Sequence, residues 1–161
     1  MESRAKLFGH PIHQMLVPIP FGLLAMAVVF DLGALVLAQG YWSEIAYPMI
    51  AAGVVTGLLA APFGAFDWLA IPSGTRAKRV GAIHGLGNVI VVLLFAGSWL
   101  MRRDAPAAPD GVALALSFAG GAIALITGWL GGELVDRLSV GVDDGAHVDA
   151  PSSLRTPRAR A

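Results

Sequence analysis

The sequence of 161 residues contains no cysteine, and only 14% of its residues are charged. The lack of thiols excludes disulfides, zinc–thiolate sites and catalytic cysteines. Eleven basic residues balance eleven acidic residues, so the chain has no net charge at pH 7 and lacks the basic surface with which proteins bind nucleic acid. Hydrophobic residues make up 56% of the chain, which excludes disorder of the whole chain.

What the sequence does contain is long apolar runs, within which fifteen of its twenty glycines and four of its ten prolines lie. Both residues are commoner in membrane helices than in soluble ones. Four runs have the roughly 20 residues needed to cross a bilayer: 15–38, 45–71, 80–101 and 111–132. Short connections make successive helices antiparallel neighbours. We therefore predict an all-α fold, an up-and-down four-helix transmembrane bundle over residues 1–140.

The two ends of this bundle differ in charge. Nine basic residues lie at the end that carries both termini and the second loop, whereas Arg102 and Arg103 are the two at the opposite end. Because cytoplasmic loops are enriched in Lys and Arg, both termini are predicted to be cytoplasmic. Residues 141–161 are polar, and we expect them to form a disordered cytoplasmic tail.

Five ionisable side chains are expected at the cytoplasmic end of the bundle, where antiparallel connectivity brings the helix ends together. They are His10, His13, Asp67, His84 and Glu133. Ionisable residues within membrane spans are costly and are functional candidates by default. The sequence therefore predicts a cluster of three histidines and two carboxylates drawn from four helices.

Neighbouring residues support a role for His84 and raise a separate question about Asp31. Asn88 follows His84 by four residues and is expected to orient its imidazole on the same helical face. Three glycines are expected to leave space around this ring: Gly81, Gly85 and Gly87. Asp31 follows His13 by five helical turns, so it faces inward at the opposite end. There we expect it to accept structural hydrogen bonds from hydroxyl or freed backbone groups such as those near Pro48 or Ser98.

Each member of the cluster also has a purely structural interpretation. Glu133 and Arg137 are four residues apart and suit a local salt bridge. Asp67 lies near a loop and suits a capping carboxylate. His10 precedes Pro11, a residue that favours the first position of a helix, and suits a helix cap. A polar network that only stabilises helix packing is therefore an alternative for the whole cluster.

The residue types indicate a metal or haem centre. Imidazole is the commonest protein ligand for transition metals, and carboxylates complete harder sites, so all five residues of the cluster are candidate metal ligands. In a haem b site, His13 and His84 would be the axial ligands, supported by Asn88. Arg76 and Arg79 would then lie near the propionates. The favoured function is membrane electron transfer with a redox partner protein.

A second functional class is an oligomeric permease for protons or small ions. Asp31 and the cytoplasmic cluster could relay protons, but four helices are few for an alternating-access transporter, and no inverted repeat is evident. Such a protein would have to be a homo-oligomer. The sequence also contains no HExxH, P-loop or serine nucleophile motif, so it gives no support to hydrolysis and leaves enzymatic activity open.

Three segments resemble a bacterial membrane family known as domain of unknown function 2231: GHPIHQMLVPIPFGLL with the following VFDL, FGAFDWLAIPSGTRAKRVGAIHGLGN, and GWLGGELVDRLSVGV. The resemblance covers roughly Gly9 to Val142 and implies four helices in a bacterial inner membrane. Some relatives resemble fusions to Rieske-type iron–sulphur domains, which implies redox chemistry nearby. The usual opening of the family reads HPIHP, and Gln14 replaces its second proline here. Some relatives place a histidine at the position of Glu133, an exchange that suits a metal ligand.

Overall fold

The computed structural model describes residues 1–154, and these form a four-helix bundle. Its helices are α1 (Ile12–Leu16), α2 (Pro18–Leu37), α3 (Gly40–Ala70), α4 (Arg76–Met101) and α5 (Gly111–Gly132). A π-helical turn, Glu133–Arg137, extends α5, and a short antiparallel ribbon, β1 (Lys6–Leu7) and β2 (His10–Pro11), precedes α1. Helices α1 and α2 together make one span, Ile12–Leu37, so four helices are long and apolar enough to cross a membrane. The predicted bundle is confirmed.

Helix ends extend further than the hydropathy of the sequence predicts. The second span begins at Gly40 rather than residue 45, and the third begins at Arg76 rather than residue 80. The hydroxyl of Thr75 caps α4 by accepting a hydrogen bond from the backbone N–H of Lys78 at 3.1 Å. Because a helix begins at its cap and not at the membrane boundary, the polar residues 76–79 form the first turn of α4.

Apolar side chains fill the centre of the bundle and also cover its outside. The buried core consists of Leu24, Ala27, Ala46, Ile50, Val91 and Phe95. Large exposed apolar residues occur on every span, for example Val36 with 82% of its surface exposed and Leu125 with 68%. Extensive apolar surface of this kind marks contact with a membrane.

The two ends of the bundle carry different segments. One end, the termini end, carries residues 1–11, the loop from Ile71 to Thr75 and residues 138–154. The far end carries residues 38–39 and 102–110. At the termini end the amino group of Met1 donates a hydrogen bond to the carbonyl of Ser139 at 2.7 Å, and Gly141 N–H donates to the carbonyl of Met1. The N-terminus is therefore tied to the segment that follows the π-helical turn.

The predicted disordered tail is described as far as Leu154. Residues 141–154 contain turns and contact the N-terminal segment, including a 3.3 Å contact between Ser153 Oγ and His10 Nε2. Residues 155–161 lie outside the described part of the chain. Disorder of 141–161 stays a prediction.

Candidate functional site

Two of the three histidines predicted to cluster come together at the termini end. His13 lies on α1 and His84 lies two turns into α4, and their ring centroids are 6.5 Å apart with the ring planes at 89°. Both rings are half-buried. They meet because each begins a span at the same end, as antiparallel connectivity requires.

The two imidazoles make the same kind of hydrogen bond to a neighbouring helix. His13 Nδ1 lies 3.0 Å from the carbonyl oxygen of Ala60, and His84 Nδ1 lies 2.9 Å from that of Thr127. A carbonyl only accepts hydrogen bonds, so Nδ1 carries the hydrogen in both rings. In the neutral form of each ring the lone pair is therefore on Nε2, the nitrogen that can ligate a metal ion; in His84 this nitrogen contacts Asn88.

Asn88 contacts His84 as the sequence predicts. Its Nδ2 lies 3.2 Å from His84 Nε2 and donates to the His84 carbonyl at 2.9 Å. Thr127 Oγ1 in turn donates to Asn88 Oδ1 at 3.1 Å. His84, Asn88 and Thr127 thus form a polar network that joins α4 to α5.

Glycines on the facing helices make room for both rings. A Cβ atom built on Gly64 would lie 2.7 Å from His13 Cε1, and one on Gly131 would lie 3.2 Å from His84 Cε1. The sequence predicted that glycines on the helix of His84 itself, Gly81, Gly85 and Gly87, leave the space around its ring. This prediction was wrong for two of the three. Gly81 faces Trp68 and Gly87 faces Thr127, while Gly85 has open space.

Asp67 lies away from the histidines and holds the N-terminal segment. Both of its carboxylate oxygens accept from Ser3 Oγ at 2.8 Å, and one accepts from the backbone N–H of Arg4 at 2.8 Å. The carboxylate is buried, with 8% of the residue exposed. These contacts give Asp67 a structural role, but it anchors the N-terminal segment and does not cap a helix as expected.

Glu133 and the arginines predicted near a haem lie at the surface of the same end. Glu133 binds Arg76 with an Nη2–Oε1 distance of 2.6 Å, so the local pair predicted with Arg137 is not formed. Arg79 is exposed. An ion pair between α4 and the π-helical turn has replaced one within a single helix, because the fourth span ends beside the start of the third.

His10 is also separate from the paired histidines. It lies in β2, is exposed, and contacts Ser153 instead of capping a helix. The cap position of α1 is occupied by Pro11, which makes no side-chain hydrogen bond there. Over residues 1–154 no three histidine, aspartate or glutamate side chains are close enough together to hold a metal ion. The expected five-residue cluster is therefore reduced to the pair His13 and His84.

Charged side chains at the surface of the termini end interact with one another. Lys6 bonds to Glu2 and lies 3.6 Å from Asp143. The hydrogen bond that Lys6 donates to Glu2 is the main cause that raises the pKa of Lys6. A hydrogen bond from the backbone N–H of Gly145 is the main cause that lowers the pKa of Asp143. These contacts line a cleft of about 540 Å³ that also includes His10.

The far end contains a buried ion pair that the sequence analysis missed. Arg102 Nη1 and Nη2 each donate to one oxygen of Asp31 at 2.8 Å, and both side chains are 0% exposed. Three serine hydroxyls complete the network: Ser43, Ser98 and Ser117. Hydroxyl groups do donate to Asp31 as expected, but they are those of Ser43 and Ser117, whereas Ser98 bonds to Arg102. The charged partner of Asp31 is the Arg102 guanidinium, which the sequence did not indicate.

One comparison with known proteins identifies the family. A family model described as a predicted membrane protein, DUF2231, matches residues 9–144. The chain belongs to the DUF2231 family. No curated protein and no solved structure matches it. The DUF2231 match includes both the His13–His84 pair and the Asp31–Arg102 pair.

Proposed function

We propose that His13 and His84 bind one redox-active metal centre, a haem b or a single transition-metal ion, in a membrane electron-transfer protein. The separation of the two rings carries this proposal. Imidazoles that ligate one ion from opposite sides have centroids about 6.2–6.4 Å apart, because metal–nitrogen bonds are about 2.0–2.1 Å and a ring nitrogen lies about 1.1 Å from the centroid. The observed separation of 6.5 Å is close to this range.

The hydrogen bonds of the two rings support the same role. Metal-binding histidines almost always donate their other N–H to a carboxylate, a backbone carbonyl or water, which fixes the tautomer and the orientation of the ring. The carbonyls of Ala60 and Thr127 provide this support for His13 and His84. Asn88 Nδ2 contacts His84 Nε2, so ligation requires this amide to turn away.

The number of ligands favours haem over a bare ion. A structural or catalytic metal ion takes three or four protein ligands, and this site supplies two. A haem brings its own four nitrogens and needs only axial ligands from the protein. Arg76 precedes His84 by two turns at the same end and is half-exposed, so in this proposal it exchanges Glu133 for a haem propionate.

The permease alternative has less support in this bundle. Within a single bundle, a proton or ion path would have to join the histidine pair to the far-end network through the interior. Between them lie the apolar side chains Leu24, Ile50 and Phe95, of which Ile50 and Phe95 are 0% exposed. The alternative of a purely structural network has more support than the permease, because His84, Asn88 and Thr127 already form hydrogen bonds with one another.

A spectrum and a metal analysis of the protein purified from membranes test the proposal. We expect a Soret band or a stoichiometric transition metal, and loss of that centre in both His13→Ala and His84→Ala. His10→Ala is the matched control, since this exposed histidine lies outside the pair, and it should retain the centre. Colourless, metal-free wild-type protein, or variants that keep the centre, would contradict the proposal.

Thermal unfolding of His84→Ala separates the ligand role from a structural one. If His84 only joins helices, its replacement should cost about 1 kcal/mol, as an interhelical hydrogen bond in a membrane does, without changing any bound centre. If it is a ligand, the helices should still fold around the small residue while the centre is lost. The two quantities are measured on the same preparation.

A further inference from the structure

The two halves of the chain place their key polar residues at the same spacing. The first hairpin is formed by α1, α2 and α3, and the second by α4 and α5. Asp31 follows His13 by 18 residues in the first hairpin, and Arg102 follows His84 by 18 residues in the second. In each hairpin the histidine lies at the termini end and the charged residue is buried at the far end.

The buried faces of the two first spans have the same register. The buried residues of α2 are Pro20, Leu24, Ala27 and Asp31. Adding 71 to each number gives Val91, Phe95, Ser98 and Arg102, which are all buried in the second hairpin. Identical residues also recur at this offset: Ile12 and Ile83, His13 and His84, Ile19 and Ile90, Leu23 and Leu94, and Ala25 and Ala96. The second hairpin thus repeats the packing face of the first.

The contacts between the two helices of each hairpin are repeated as well. Adding 67 to the number of a residue in α3 gives the residue of α5 that makes the equivalent contact. Gly53 lies against Leu24, and Gly120 lies against Phe95. The Ala60 carbonyl binds the His13 ring and the Thr127 carbonyl binds the His84 ring. Gly64 faces His13, and Gly131 faces His84. Three independent contacts therefore keep one offset, which chance similarity between two apolar helices does not explain.

We infer that the chain consists of two diverged copies of one helical hairpin, and that Asp31 and Arg102 make the copies complementary to each other. Both hairpins begin at the same end, so the repeat is of the parallel kind, with its pseudo-two-fold axis along the membrane normal. Around such an axis equivalent residues meet, as His13 meets His84 and Asp31 meets Arg102. Two hairpins with the same charged residue would bring like charges together in a buried site.

Opposite charges at equivalent positions favour the pairing of unlike hairpins. A buried charge without a partner is strongly destabilising, so contact between two copies of the same hairpin is opposed by repulsion, and this gives specificity. The Asp31–Arg102 pair therefore fixes which surfaces of the hairpins meet, and with it the register of the whole bundle. This inference does not depend on whether a metal centre is bound at the histidine pair.

A charge swap in the full-length protein tests the inference. Asp31→Arg and Arg102→Asp alone each put two like charges in the buried site, so we expect each to lower the unfolding midpoint by about 10 °C or more or to prevent recovery from membranes. The double variant D31R/R102D restores opposite charges at exchanged positions. It should recover most of the midpoint, because the positions are equivalent.

A distance measurement in the same variants reports the register. The chain has no cysteine, so nitroxide labels can be placed at Ile19→Cys and Ile90→Cys, equivalent positions that are each 48% exposed. We expect a single narrow distance in the wild-type background and in the swap, and a broadened distribution in any single variant that can be purified. Arg103→Asp with Asp104→Arg is the matched control, because this pair is exposed at the same end and should change neither quantity.

A second swap variant corrects for a local sequence difference between the two hairpins. Arg102 also bonds to Ser98, whose equivalent in the first hairpin is Ala27. Adding Ala27→Ser to D31R/R102D gives the exchanged arginine the same hydroxyl partner. If both swaps remain as unstable as the single variants, the positions are not equivalent and the inference is overturned. Single variants with an unchanged midpoint and distance would overturn it as well.

Discussion

Glycine decides where the two imidazole rings lie. His13 occupies space that any side chain on Gly64 would fill, and His84 lies similarly against Gly131. Each ring donates to the carbonyl four residues before its glycine, at Ala60 or Thr127. The bare backbone therefore provides both the space for the ring and the acceptor that orients it.

Alanine substitutions at glycines should have opposite effects depending on what faces them. Gly64→Ala places a Cβ 2.7 Å from the His13 ring, so we expect it to displace the ring and to lower both the unfolding midpoint and the content of any bound centre. Gly85→Ala meets nothing within 4 Å and should stabilise α4 by about 0.5–1 kcal/mol, because alanine favours a helix over glycine. Equal effects at the two positions in thermal unfolding would contradict this account of the site.

The sequence revealed some of the important residues and concealed others. His13 and His84 were recognisable because few ionisable residues occur within the apolar spans. Arg102 was not recognisable, because the charged run Arg102–Arg103–Asp104 follows an apolar stretch and is typical of a loop. Its side chain turns back to Ser98, one turn earlier, and reaches Asp31. That direction depends on packing and is not encoded in local composition.

At the scale of elements, Asp67 near the end of α3 fixes the N-terminal segment over the bundle. Its carboxylate accepts hydrogen bonds from the hydroxyl of Ser3 and from the backbone N–H of Arg4. The segment then continues into the β1–β2 ribbon and into α1, which carries His13. A carboxylate that the sequence suggested as a metal ligand thus anchors the start of the segment that leads to His13.

Asp67→Asn should loosen this segment while leaving the helices in place. The amide keeps the shape of the side chain but loses the charge, and a hydrogen bond to a charged group contributes about 1.5–3 kcal/mol. We expect the backbone amide of Arg4 to exchange its hydrogen roughly 10- to 100-fold faster. Asp110→Asn is the control, because Asp110 caps α5 at the far end. Unchanged exchange at Arg4 would show that other contacts hold the segment.

Helix number and order follow from hydropathy, but helix ends do not. The four spans appear in the sequence because burying an apolar run in lipid requires it to be continuous and long. Caps at Thr75 and Asp110 decide where α4 and α5 begin, and Pro18 with Pro20 interrupts the first span at Val17 by removing two backbone donors. These are local hydrogen-bonding effects to which a hydropathy average is insensitive.

At the scale of the whole molecule, the bundle has a different polar group at each end and an apolar middle. The histidine pair lies at the termini end, and the Asp31–Arg102 network lies at the far end, with the Leu24 and Phe95 layer between them. An electron centre at one end, as proposed above, is compatible with this insulation, whereas a continuous ion path through a single bundle is not. If the proposed centre is bound at the histidine pair, we expect its redox partner to approach the termini end.

The buried position of Arg102 sharpens the expected orientation of the molecule in the membrane. Sequence counting gives nine basic residues at the termini end against two at the far end. Because Arg102 is buried against Asp31, Arg103 alone is exposed among them, and it lies 3.7 Å from Asp104. The positive-inside rule depends on basic residues in the loops, so the structure increases the asymmetry and favours cytoplasmic termini.

Cysteine labelling of intact cells measures this orientation directly, because the chain has no cysteine of its own. Ala108→Cys places a thiol in the exposed far-end loop, and Ser152→Cys places one in the exposed segment beside the N-terminus. A membrane-impermeant maleimide should label the first in intact cells and the second only after the cells are permeabilised. The reverse pattern would place the histidine pair, and any centre bound there, on the outer side of the membrane and would require an electron partner on that side.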